Sequence, residues 1–163
     1  MTRATKALEQ WQKERPDLDC RPMAMLGALS EAANLISRDR LAPVFAQFGL
    51  QSGEFDVLAT LRRSGPPYAL TPTALYEATM VTSGAITARL DRLEKAGLIS
   101  RGPHPADRRG VVVQLTDKGK ALIDEAVTAH VENEHKILSG LTREEQDTLA
   151  GLLAKLVESL DLA

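Results

Sequence analysis

Two adjacent arginines, Arg108 and Arg109, stand in the stretch SRGPHPADRRGVVVQLTDKG, Ser100 to Gly119, just before the strand-like run Val111 to Leu115. A guanidinium is always charged and carries a fork of donors that fits phosphate oxygens. At the tip of a hairpin it reaches outside the fold, and there it can enter a narrow minor groove, where the negative potential of DNA is enhanced. His104 shares this tip. Upstream, Thr82, Ser83, Gly84, Thr87 and Ala88 form a run of short side chains able to approach base edges and phosphates. Arg92 is expected on the more exposed side of the same segment. Elsewhere, Trp11 is the only tryptophan and Asp56 stands inside the otherwise apolar EFDVLATL.

The elements that must position these residues follow from periodicity and punctuation. Residues 3–15 read as a first helix with Ala7, Leu8 and Trp11 at helical spacing, stopped by Pro16. A second helix runs from Pro22 with Met25, Leu26, Leu29, Ala32, Ala33, Ile36 and Leu41 on one broad face, and Pro43 is expected to kink or divide it. Gly49 ends that region. Ser52 reads as the N-cap of a helix carrying Phe55, Leu58, Ala59 and Leu61. Thr71 followed by Pro72 is a helix start, and the short helix ends near Ala78. Thr82 or Ser83 caps the next helix, with Ile86, Leu90 and Leu93 on its buried face and Gly97 as its C-terminal stop. The hairpin follows. Thr116 caps a long helix with Leu122, Ile123, Val127, Val131 and Ile137, and Thr142 with Glu145 has capping-box spacing before the leucine-rich last helix.

Two helices joined by a few residues, the second followed by a hairpin, form a helix-turn-helix with a wing. The fold class expected is mainly α with a small β-hairpin. Three regions are expected: 1–49 for dimerisation and ligand, 50–115 for DNA, and 116–163 for further dimerisation helices.

Bulk numbers frame the partner. The chain has 163 residues and a net charge of -2. Between Arg89 and Arg109, however, six basic residues face three acidic ones, a local +3, whereas from Asp117 onward five basic face ten acidic, a local -5. Phosphate binding follows the local patch rather than the total, so double-stranded DNA is the expected partner. No apolar run approaches a membrane span, and the N-terminal twenty residues lack the apolar core of a secretory signal. A cytoplasmic protein with no membrane partner is expected. A single cysteine, Cys20, fits a reducing compartment. There is no glycine-rich phosphate loop, nucleophile elbow or histidine-carboxylate arrangement, so no enzyme activity, catalytic residue or cofactor is expected. His104, His130 and His135 make a poor metal set.

The stretch LTPTALYEATMVTSGAITARLDRLEKAGLISRGPHPADRRGVVVQLTDKG closely resembles the winged helix-turn-helix of the MarR family of transcription regulators, with LDRLEKAGLI, DRRG and LTDKG as the matching motifs. The resemblance implies a homodimer with interlocked terminal helices that reads a pseudo-palindromic operator as a ligand-responsive regulator, a repressor in the first instance. Trp11, Asp56, Arg89 and Thr87 further resemble the ligand set of the urate-responsive, PecS-type branch. That implies urate or a similar aromatic anion as effector, with Asp56 pairing Arg89 when the ligand is absent. An asparagine usual near the end of the Asp56 helix is missing; Ser64 stands in that vicinity. Two alternatives stay open: peroxide sensing through Cys20, and a winged helix used only for protein contacts.

Overall fold

The computed structural model describes residues 2–79, 86–104 and 107–161. Thr2 opens α1 (Arg3–Glu14) by accepting the Thr5 amide through its hydroxyl at 3.2 Å. Helix α1 packs along α2 (Arg21–Leu35). The second helix is divided ahead of Pro43, as expected. The chain passes through a π-helical turn, Ile36–Leu41, into α3 (Ala42–Gln47). The wider turn makes room for a proline ring that would otherwise meet the carbonyl four residues back. Gly49, at φ +68°, then turns the chain, a conformation that costs any residue with a β-carbon.

The cap of α4 (Ser52–Arg63) is Gln51, one residue before the serine expected there. Its carbonyl accepts the Glu54 amide at 2.9 Å, while the Glu54 carboxylate accepts the Gln51 amide at 2.8 Å. This reciprocal pair satisfies two amides that a helix start leaves unpaired. Thr71 caps α5 (Pro72–Ala78) as its sequence foretold. At the other end of α5, Arg63 donates to the Ala78 carbonyl at 2.5 Å.

Helix α6 (Ile86–Lys95) buries Ile86, Leu90 and Leu93 and stops at Gly97, φ +72°. Three antiparallel strands follow the order β1-β3-β2: β1 is Ala69–Leu70, β2 Ile99–His104 and β3 Asp107–Leu115. Ile99 pairs with Leu115 and Pro103 with Val111, so β2 and β3 run on beyond β1 as a hairpin. The core sits where α4, α5, α6, the sheet and α7 (Asp117–Leu138) meet: Val57, Leu58, Leu61, Leu75, Leu93, Val113 and Ile123 are inaccessible or nearly so. Each such aliphatic side chain contributes about 1.5–3 kcal/mol by leaving water. Helix α8 (Arg143–Asp161) begins at the expected capping box, with the Thr142 amide donating to Glu145 at 2.8 Å and the Glu145 amide donating to the Thr142 hydroxyl at 3.3 Å. No helix among the described residues is long and apolar enough to cross a membrane.

The motif LTDKG has a structural reason. Thr116 accepts the Gly119 amide and donates to the Gly97 carbonyl at 2.7 Å, while Lys118 donates to the Ala96 carbonyl at 2.8 Å. The start of α7 thus takes up the unpaired carbonyls at the end of α6. A β-carbon at Gly119 would overlap the Leu98 carbonyl oxygen. Between α4 and α7, Arg62 donates to Asp124 at 2.6 Å and lies 5.0 Å from the centre of the Tyr68 ring. The Arg62 hydrogen bond, above all, holds the Asp124 carboxyl below its ordinary value of 3.8.

Two expected outcomes follow. Gly119→Ala forces backbone apart at a fully packed junction, which costs about 1–3 kcal/mol and lowers the melting temperature by several degrees; an unchanged melt would refute the close approach. A carboxyl depressed in the folded state stabilises fully above its unfolded value and loses that contribution as pH falls through the folded one. Asp124→Asn therefore has a lower urea midpoint than the parent at pH 7, and the gap narrows as pH drops below 3.8. A gap independent of pH would rule out the Arg62 pair as its source.

Candidate nucleic-acid interface and effector site

Helix α6 meets α4 through two arginines one turn apart. The Arg89 guanidinium lies directly against Gly53, where a β-carbon would overlap it. Arg92 donates from Nε to Glu54 at 2.7 Å; the Glu54 side chain is 8% exposed and that of Arg92 49%. Arg92 lies on the exposed side of α6, as expected, and its Nε is bonded across to α4. Gly53 and Glu54, the two residues that receive these arginines, carried no functional signal in the sequence beyond a helix start, because their partners lie some forty positions away.

The expected pairing of Asp56 with Arg89 is not formed among the described residues. Asp56 Oδ2 and Arg89 Nη1 are both buried and have no hydrogen-bond partner. Gly53 and Asp56 are three residues apart, on one face of α4, so the unused acceptor of Asp56 is one helical turn from the glycine that the Arg89 guanidinium lies against. Buried polar groups are normally satisfied, and each one that is not calls for an explanation. Thr87 is exposed at the start of α6 and Arg89 faces inward; residues two apart on a helix do not share a face. The structure therefore places Thr87 outward, away from the two orphaned groups.

Trp11 is 43% exposed and lines a cleft of about 120 Å³ with Ala4, Leu8, Met23 and Ala24. That cleft is built from α1 and α2 and includes neither Asp56 nor Arg89. Within one chain the four effector candidates are not brought together. Cys20 is buried at 4% exposure. Its neighbour Arg21 is engaged by Asp19 at 2.6 and 2.8 Å, which lowers the Asp19 carboxyl to about 2, so the adjacent positive charge is spent on a carboxylate. His130 packs against Phe45 and Phe55, ring centres 5.3 and 4.8 Å away, and meets Glu134 at 3.1 Å. Among the described residues no three His, Cys, Asp or Glu side chains gather as metal ligands would.

Thr82, Ser83 and Gly84 lie outside the described residues. The backbones of His104, Arg108 and Arg109 belong to the hairpin strands β2 and β3; their side chains also lie outside the description. Arg101, at the hairpin base, donates to Glu94 at 2.8 Å and to Asp91 at 2.7 Å, fastening β2 to α6. Of the basic residues counted in the sequence, Arg92 and Arg101 thus serve internal ion pairs.

A short helix, a second helix seated on α4, and a three-stranded sheet extended as a hairpin define a winged helix-turn-helix DNA-binding protein. The chain belongs to the MarR family: residues 48–110 match the family model, and the chain is 48% identical over 153 residues to the HTH-type transcriptional regulator PecS of Dickeya dadantii, covering 94% of this chain and 92% of that protein. A mutant MarR from E. coli, solved in complex with operator DNA, superposes with a TM-score of 0.71 at 28% identity, covering 90% of this chain and 96% of that one. Bordetella bronchiseptica BpsR, whose DNA binding is regulated by 6-hydroxynicotinic acid, gives 0.67 at 28% identity, covering 80% and 91%. The protein is a MarR-family DNA-binding transcription regulator.

The seat of Arg89 is testable. Gly53→Ala displaces only the flexible end of a side chain, so the melt shifts little. Operator affinity, measured on a duplex selected by the protein from a random library, falls severalfold as Arg89 loses its place against α4. Unchanged affinity would show that the Gly53 contact does not set α6.

Proposed function

We propose that the protein is a homodimeric repressor released from a pseudo-palindromic operator by a planar aromatic anion such as urate. The observation that carries the effector half is that Arg89 Nη1 and Asp56 Oδ2 are each buried and without a partner. A purine anion has carbonyl oxygens and ring N–H groups along one edge. The oxygens accept from Arg89 and a ring N–H donates to Asp56, so the ligand supplies both missing partners. The negative charge of the ligand is drawn to Arg89 and repelled by Asp56, and the resulting compromise is felt on α6, the helix that reads DNA. Only a ligand with different affinity for the two settings of α6 shifts the equilibrium between them. Trp11 provides the aromatic face, brought to the site by assembly of the dimer. Thr87 belongs to the DNA-reading surface with Thr82, Ser83 and Gly84, and His104, Arg108 and Arg109 form the wing contact. The PecS likeness supports this branch, and the BpsR comparison supports a small aromatic acid as signal.

The homodimer is supported by what the single chain leaves bare. Leu152 and Leu160 on α8 are 62% and 67% exposed, and Met23, Met25, Leu26 and Leu29 on α2 are exposed as well. Apolar stripes of this extent mark an interface, and a second copy brings the same surfaces by two-fold symmetry. In this arrangement residues 1–49 and 116–163 make the dimer, and residues 50–115 contact DNA.

Two measurements decide these points. Urate titrated into the free protein quenches its single tryptophan saturably, and Arg89→Ala weakens the affinity about tenfold or more, the loss of a charge-assisted pair; equal affinity in Arg89→Ala ends the effector reading. Leu152→Glu with Leu160→Glu yields a monomer by sedimentation that no longer binds the operator. A double variant that sediments unchanged would place the interface elsewhere.

A further inference from the structure

One carboxylate holds two helices at once. Glu54 Oε2 accepts the Gln51 amide at 2.8 Å and closes the first turn of α4, while Oε1 accepts Arg92 Nε at 2.7 Å from α6. It is buried, and it stands next to Gly53, which receives Arg89. The pair borders an open cleft of about 350 Å³ lined by Gly49, Leu50, Leu93, Lys95 and Leu98, so packing alone does not close this junction. Arg92 and Arg89 are one turn apart on α6. The first is satisfied and the second has an unused donor.

We propose that Glu54 and Arg92 form the fixed point on which α6 is set for reading bases, making Glu54 a positioning residue for DNA recognition and Arg92 its partner rather than a phosphate ligand. The physical basis is the difference in how the two arginines are held. A guanidinium bound to a buried carboxylate cannot move without leaving that charge unpaired, which is costly. The contact at Gly53 has no such penalty. When Arg89 is drawn to another anion, α6 turns about the Glu54–Arg92 end and its N-terminal half, which carries Thr87, moves most. The proposal rests on α6 being the DNA-reading helix. Buried ion pairs are weak evidence for stability but a known means of fixing one arrangement over others; here the arrangement fixed is that of a helix whose placement determines which base edges it meets.

The sign of one substitution separates positioning from phosphate contact. Glu54→Gln keeps an acceptor for the Gln51 amide, since glutamine serves in a capping box, but removes the charge that holds Arg92. The full-length variant is assayed on the library-selected operator and on a scrambled duplex across a salt series. The expected result is a loss of about tenfold in operator affinity, the size of one lost base contact, with scrambled-duplex affinity and its salt slope unchanged. Unchanged or tighter operator binding overturns the proposal, because freeing Arg92 would then have cost nothing or added a phosphate contact. Arg92→Met gives the same loss as Glu54→Gln, and the double variant loses no more than either. If Arg92→Met weakens both duplexes and lowers the salt slope by about one, Arg92 is a phosphate ligand and the proposal fails. Should Glu54→Gln not melt cooperatively, the Arg92→Met comparison decides alone. Thr87→Ala is the control for the helix itself: operator affinity untouched in Thr87→Ala, while Glu54→Gln retains its effect, would sink the assignment of α6 as reader and leave the Glu54–Arg92 coupling to act through another surface.

Discussion

The DNA-reading half of this molecule depends on how the first turn of α4 receives α6. Gly53 offers bare backbone where a side chain would push Arg89 away, and Glu54 offers a buried carboxylate to Arg92. The same turn is closed by Gln51 and opened by the positive φ of Gly49. Everything beyond it builds on that seat. Thr116 and Lys118 take the end of α6, Arg101 ties the hairpin back to Asp91 and Glu94, and the wing leaves from a base fastened on both sides. A small displacement at α4 is therefore passed to α6 and the wing together, because packed junctions shift between discrete arrangements rather than bending.

Charge is divided in a way that serves the fold first and the partner second. Three arginines around α4, α6 and the sheet are matched by carboxylates, Arg62 by Asp124, Arg92 by Glu54, Arg101 by Asp91 and Glu94, whereas Arg89 is not. Arg108 and Arg109 belong to β3 beyond the Pro103–Val111 pair. The acidic excess belongs to α7 and α8, on the side of the sequence that carries the exposed leucines. A net charge of -2 is thus compatible with duplex binding, because the field that matters is local.

Most of the architecture was legible because its signals are local. The caps at Thr71, Thr116 and Thr142 and the glycine stop at Gly97 are decided by residues within one helical turn, and all four stand where their spacing placed them. The cap at Gln51 was missed by one residue: Ser52 is the more usual cap, and the reciprocal bond with Glu54 outweighs that preference. Pro43 divides the second helix as expected, α2 giving way to α3, though no residue pattern announces the π turn between them. The site was less legible than the fold. Asp56 stands out by its charge in apolar surroundings and Arg89 by the family resemblance; both carry orphaned buried atoms, as His130 does, yet the expected bond between them is absent among the described residues. Helical spacing put Arg92 on the exposed face, where it stands, but could not announce a partner thirty-eight positions away. Trp11 stands apart from Asp56 and Arg89 within one chain because α1 packs on α2 alone in the cleft it lines.

The central claim is that an organic anion taken up at Arg89 and Asp56 moves α6 off DNA. The measurement that meets it most directly is release of the protein from its operator as urate is added, with an organic peroxide titrated in parallel. The account predicts saturable release by urate from the parent protein, resistance of the Arg89→Ala complex, and no dependence on Cys20. Release by the peroxide alone, abolished in Cys20→Ser, would contradict it and move the sensor to the cysteine.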